Sequence, residues 1–176
     1  MRNFITVELV TQIESKGTRG VLMPTFTPSH LGKWESLFTD LVGGEGSALT
    51  EEGIWMLGAK PGLVCVFDEE EPLYIAAVDN ISKTLQCYLK GGSECDFRTM
   101  VGIVEMGASL RNAASRAKTG PLALRISKRV AKFRYRVVQA PSKCLSDLAC
   151  AFNVVADTRY AGPSALANRA LDALPQ

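Results

Sequence analysis

The chain carries a single histidine, His30, among its 176 residues. A Ser–His–Asp triad or a histidine metal site needs partner groups around such a residue, and none stands near it in sequence. His30 falls beside a predicted helix start and reads as a capping or surface residue. The five cysteines, Cys65, Cys87, Cys95, Cys144 and Cys150, include no C-x2-C pair, and their number is odd. That spacing excludes a zinc knuckle and fits free thiols in a reducing compartment. Residues 43–47 (GGEGS) lack the Lys-Ser/Thr that follows the glycines of a phosphate-binding P-loop. No apolar run approaches the roughly 20 residues that span a bilayer. The start, Met1-Arg2-Asn3-Phe4, leads into alternating residues that include Glu8, unlike a signal peptide. The protein is therefore expected to be cytosolic at synthesis and to meet a membrane only peripherally.

What is present is an ordinary globular balance, with 47% hydrophobic and 22% charged residues. A chain of this length buries a sizeable core without disulfides or metals. Collagen, coiled coil and wholesale disorder are excluded. Residues 4–13 (FITVELVTQI) read as a strand, with 20–26 as a possible edge partner. Ser29 is a candidate N-cap for a helix with Leu31, Trp34, Phe38 and Leu41 at helical spacing. Gly43 and Gly44 end it. Thr50 is placed to cap a short helix over 51–57, which Pro61-Gly62 closes.

The middle of the chain reads as β. Residues 63–67 (LVCVF) and 73–78 (LYIAAV) flank an acidic turn. Residues 84–89 alternate Leu85, Cys87 and Leu89 with Gln86 and Tyr88, and 98–106 is a further strand candidate. A short helix is expected over 108–118. Residues 122–138 fit both periods; β-branched and aromatic content favours a strand over 130–138. Ser142 is placed to cap a helix over 143–156, and a last helix is expected over 164–174. The expected fold class is α+β: a single compact domain over 1–160, an antiparallel β-sheet with flanking helices, and a C-terminal helical appendage over 161–176.

The formal charge of +2 hides a segregation. Residues 1–34 carry +2, residues 35–105 carry −9, residues 106–146 carry +10 and residues 147–176 carry −1. The third segment has no acid at all. Its cations are Arg111, Arg116, Lys118, Arg125, Lys128, Arg129, Lys132, Arg134, Arg136 and Lys143. Ten like charges repel unless a counter-charge stands nearby. That counter-charge is either the acidic middle of the same or a neighbouring chain, or an external polyanion such as RNA phosphate or anionic lipid. Phe133 and Tyr135 lie among the cations and serve either as core or as base-stacking platforms.

The order of elements resembles the matrix proteins of rhabdoviruses, in particular the short ones of plant-infecting members. The likeness rests on FITVELVTQI, then the Trp-containing SHLGKWESLFTDL, then the strands from Leu63, then LALRISKRVAKFRYRVV followed by KCLSDLACAFNVVA. It spans residues 4–156 as a pattern and carries no diagnostic motif. The Lys-rich tail and PPxY motif of animal-virus members are missing. The resemblance implies a non-enzymatic viral structural protein of virion and host cytoplasm. Such a protein self-associates and bridges or condenses the ribonucleoprotein at an anionic membrane. On that reading the ten cations meet viral nucleocapsid, RNA or lipid. Glu69, Glu70 and Glu71, with Leu166, Leu171 and Leu174, serve self-association. No cofactor, metal or catalytic residue is implied. The alternatives are an RNA-coating coat or nucleocapsid protein, and a small cytosolic enzyme or adaptor. A deep pocket with convergent polar groups would mark the last.

Overall fold

The computed structural model describes residues 26–92, 95–116, 119–140 and 142–163. The strand expected over 4–13, its partner over 20–26 (save Phe26) and the helix over 164–174 lie outside them. The described residues form an α+β fold of seven α-helices and one four-stranded antiparallel sheet.

The sheet is organised by its most apolar segment. Strand β2 (Gly62–Asp68) pairs on one side with β3 (Glu71–Val78) and on the other with β4 (Arg134–Val138). The two-residue β1 (Ser47–Ala48) adds to β4, giving the order β1-β4-β2-β3. A central strand has no solvent face here, which is why LVCVF is continuous rather than alternating. Leu63, Cys65 and Phe67 point to α1 (Glu35–Val42) and α7 (Leu145–Val155), meeting Phe38, Leu41, Leu148 and Phe152. Val64 and Val66 point the other way. They meet residues of α2 (Glu51–Trp55), α3 (Ile81–Lys90), α4 (Asp96–Val104) and α6 (Gly120–Val130). Helix α5 (Leu110–Arg116) packs outside α4 and α6. Gly62 must be glycine, since a Cβ there would lie 2.4 Å from the Val138 carbonyl oxygen.

Two predicted strands are helices. Residues 84–89 belong to α3, where Asn80 accepts from the Lys83 amide at 2.9 Å as N-cap. Ile81, Leu85 and Tyr88 are its buried face; their spacing competes with the apparent alternation, and the cap decides. Residues 98–104 belong to α4, with Phe97, Arg98, Val101 and Gly102 buried. Gly102, which weakened the strand reading, is there for packing. A Cβ on it would lie 3.3 Å from both Ala113 of α5 and Ile126 of α6. The segment 122–138 is both things in turn: α6 to Val130, then β4 from Arg134. Thr27, not Ser29, is the first N-cap, its amide donating to His30 Nδ1 at 3.0 Å. The element order behind the matrix-protein resemblance thus has helices where two of its strands were expected.

The free edge of β3 is covered by side chain and backbone. Asn153 of α7 accepts from the Ile75 amide at 3.0 Å and donates to the Ile75 carbonyl at 2.7 Å. The amides of Arg159 and Tyr160 donate to Pro72 and Leu73. Strand addition at this edge is thereby blocked.

Arg98 is the largest fully buried side chain, 1% exposed. Its guanidinium donates to the Tyr88 and Leu89 carbonyls in the last turn of α3, at 3.1 and 3.2 Å. It also donates to the Ala123 carbonyl and Ser127 hydroxyl of α6, at 3.2 and 2.8 Å. Three helices are joined at one cation, which sits favourably at the negative end of α3. Arg98→Met should lower the unfolding free energy by about 3 kcal/mol, because those carbonyls lose their donor where water is excluded. A urea titration measures it, with an unchanged slope showing that the native fold persists.

Candidate polyanion-binding surface

The ten cations of residues 106–146 divide into distinct environments. Helix α6 buries Ala123, Ile126 and Val130. Its opposite face holds Pro121, Leu124, Arg125 and Lys128, all exposed. Helix α5 buries only Ala113 and leaves Arg111 and Arg116 in solvent. Lys132 and Lys143 are also exposed. None of these six makes an ion pair among the described residues. Each of the two helices also exposes a leucine: Leu110 of α5 is 69% and Leu124 of α6 66% exposed.

Two cations of the segment, Arg129 and Arg134, are paired internally, and Arg136 is half-buried, its Nη1 buried and without a hydrogen-bond partner among the described residues. Arg129 reaches back from α6 to Glu105, 3.1 Å from Nε, and to both oxygens of Asp68 at the end of β2. Its guanidinium also lies 4.8 Å over the Phe133 ring. Arg134 pairs with Glu45 at 2.8 Å. Arg136 packs under the glycine turn after α1; a Cβ on Gly44 would lie 3.0 Å from its Nη1. Lys118 lies outside the described residues.

Sequence reading passed over Arg159, the main partner of the acidic middle. From the segment after α7 it contacts Glu71, Asp68 at 3.2 Å and Glu105 at 2.9 Å. The Tyr160 hydroxyl donates to the same Glu105 oxygen at 3.0 Å. Asp68, Glu71 and Glu105 are thus held by Arg129 and Arg159. Nothing local marks Arg159 in the sequence; its role comes from the return of the chain along β3. Glu69 and Glu70 line a groove of about 780 Å³ with Glu45, Lys132 and Arg134. Of the residues proposed for self-association, Glu71 pairs with Arg159, and Glu69 and Glu70 line that groove without an ion pair among the described residues. Leu166, Leu171 and Leu174 lie outside the described residues.

The aromatics among the cations are core. Phe133 is 1% and Tyr135 4% exposed, so neither offers a face for base stacking. Burial governs several protons here. It pushes the Tyr160 hydroxyl well above the ordinary tyrosine value, with Glu105 adding to the rise and Arg159 and Arg129 opposing it. Burial opposes the charge on Arg129, but Asp68 and Glu105 outweigh it and raise its pKa. Glu71 leads the causes that raise Arg159.

A second concave feature lies on the other side of Arg98. A cleft of about 750 Å³ runs between β3, α3 and the start of α4, and Tyr74, Asn80, Lys83, Thr84, Cys87 and Asp96 contribute polar groups to it. Among the described residues, no group of three or more His, Cys, Asp or Glu side chains is placed to hold a metal ion. No described helix is long and apolar enough to cross a membrane. No family model, curated protein or solved structure matches this chain.

Two measurements check this electrostatic arrangement. Glu105→Ala removes the acceptor shared by Arg129, Arg159 and Tyr160, and should cost about 2 kcal/mol of stability in chemical denaturation. The alkaline limb of stability has a definite sign. Tyr88, Tyr160, Cys65 and Cys95 all have folded pKa values raised above the ordinary 10.0 and 9.0, burial being the first cause in each. Their contribution is complete below those values and is lost as pH rises through the folded ones. The denaturation midpoint should hold to about pH 9 and then fall steadily.

Proposed function

We propose that this chain is a non-enzymatic structural protein that docks peripherally on an anionic membrane surface through the outer face of α5 and α6. One observation carries the reading: Arg111, Arg116, Arg125 and Lys128 are exposed and make no ion pair among the described residues, and Leu110 and Leu124 stand exposed on the same two helices. Exposed leucines between cations suit a lipid headgroup boundary, where the charges meet phosphate and the apolar tips enter the acyl region. Single-stranded RNA gains less from this face, because Phe133 and Tyr135 are buried beneath it.

The reading keeps the membrane-facing half of what the matrix-protein resemblance implies. Self-association through Glu69 and Glu70 is its other half. Each carboxylate would leave the groove it shares with Lys132 and Arg134 to meet a neighbour's cation.

The cleft favours a second reading, a small enzyme or adaptor with a ligand among Tyr74, Lys83 and Asp96. The two readings respond to different substitutions. Reversal of Arg111, Arg125 and Lys128 to Glu should weaken sedimentation with phosphatidylserine vesicles by at least about a hundredfold, since each cation near such a surface contributes about 1 kcal/mol. Raising the salt should weaken the wild type in the same direction. A folded triple variant that sediments like wild type would end the membrane reading. Parallel sedimentation with single-stranded RNA identifies the other polyanion, and a response confined to Lys83→Ala would favour the cleft.

A further inference from the structure

Two cysteines meet on the wall of the cleft. Cys87 lies on α3, half-buried, and Cys95 is the N-cap residue of α4. Gly91, the C-cap of α3 at φ +85°, and Gly92 follow that helix. The Cys95 thiol donates to the Cys87 carbonyl oxygen at 3.4 Å, which sets its sulfur beside residue 87. A Cβ on Gly92 would lie 3.0 Å from Cys87 Sγ, so glycine leaves that sulfur its room. Both cysteines line the cleft, Cys87 as the more exposed of the two. The remaining three differ: Cys65 is sealed in the central strand, Cys144 is half-buried before α7, and Cys150 is exposed on α7.

We propose that Cys87 and Cys95 are a reversible disulfide site, closed by exchange with a low-molecular-weight disulfide such as oxidised glutathione. Cys87 gives up its proton, and its sulfur bonds to one glutathione sulfur. The glutathione S–S bond breaks, and the departing thiolate takes up a proton. Cys95 then attacks the Cys87 sulfur in the same manner. The mixed S–S bond breaks, and the second glutathione leaves as a thiol. Two protein thiols have been oxidised to one disulfide, and one glutathione disulfide has been reduced to two thiols. The order of attack follows from exposure. Burial pushes the Cys95 thiol up to about 12, so it stays protonated and does not lead the attack; its own step is intramolecular, where proximity offsets the scarcity of thiolate. The bond ties the last turn of α3 to the start of α4, two elements that Arg98 already joins through the Tyr88 and Leu89 carbonyls. It also replaces two thiols of the cleft wall by one apolar bridge.

The site is well placed for mapping. Tryptic cleavage after Lys83, Lys90 and Arg98 puts Cys87 and Cys95 on separate adjoining peptides, 84–90 and 91–98. The full chain carrying Cys150→Ser is treated with oxidised glutathione at mildly alkaline pH, digested without reduction and analysed by mass spectrometry. The expected product is the two peptides joined by a bond that dithiothreitol breaks, with the unfolding midpoint raised by about 5 °C. In Cys95→Ser the reaction should stop at glutathione on Cys87. A stable mixed disulfide in the presence of Cys95, a bridge from Cys87 to another cysteine, or two unmodified thiols would each overturn the proposal.

Discussion

Burial of β2 on both faces is the constraint from which the rest of the architecture follows. Leu63, Cys65 and Phe67 on one face and Val64 and Val66 on the other must all leave water. A single layer of helices would satisfy only half of them. The sheet therefore carries α1 and α7 on one side and the α2–α6 layer on the other. The neighbours of β2 must also be strands, since a buried backbone needs its hydrogen bonds met. The hairpin to β3 is local, whereas β4 arrives only after four helices. Those helices have to be long enough to cover one face and return the chain antiparallel beside β2.

Charge is arranged on top of that frame by position rather than by total. The carboxylates nearest the core, Asp68 and Glu105, sit where the end of β2 meets the end of α4, and two arginines from distant segments close over them. Such half-buried pairs contribute chiefly to specificity, because desolvation offsets much of their attraction. They fix the approach of α6 and the return of the chain after α7. Cations on the outward side of α5 and α6 have no such partner among the described residues. The net charge of the chain is therefore silent about function, while the charge of one surface is informative.

Arg98 separates two regions of different character. On its α6 side lie Ala123 and Ser127, and beyond them the exposed cationic face. On its α3 side lie the last-turn carbonyls, Gly91 and Gly92, and the cleft with its two cysteines. A full positive charge buried at the junction is tolerated because backbone carbonyls and a helix dipole meet it. Glycine at position 91 brings the chain against the guanidinium, where a Cβ would lie 3.3 Å from Nε.

Local patterns alone determined several elements. The run 63–67, its hairpin partner, the Thr50 cap, the glycine stop after α1 and the amphipathic α7 were all legible, because each depends on residues within a few positions of one another. The absence of acids from 106–146 was legible for the same reason. Tertiary structure decided the rest. Residues 84–89 alternate convincingly, yet Asn80 and the 81/85/88 spacing make them a helix once a sheet face lies beside them. Residues 98–104 are helical because Gly102 lets three helices approach. The segment 122–138 switches from helix to strand at a point set by β2, which needs a second neighbour. Arg129 and Arg125 are equivalent cations in sequence. One closes on Asp68, Glu105 and the Phe133 ring, and the other faces solvent. That difference arises from elements more than 50 residues apart in the chain, such as Asp68 and Arg129, and no window of sequence contains it.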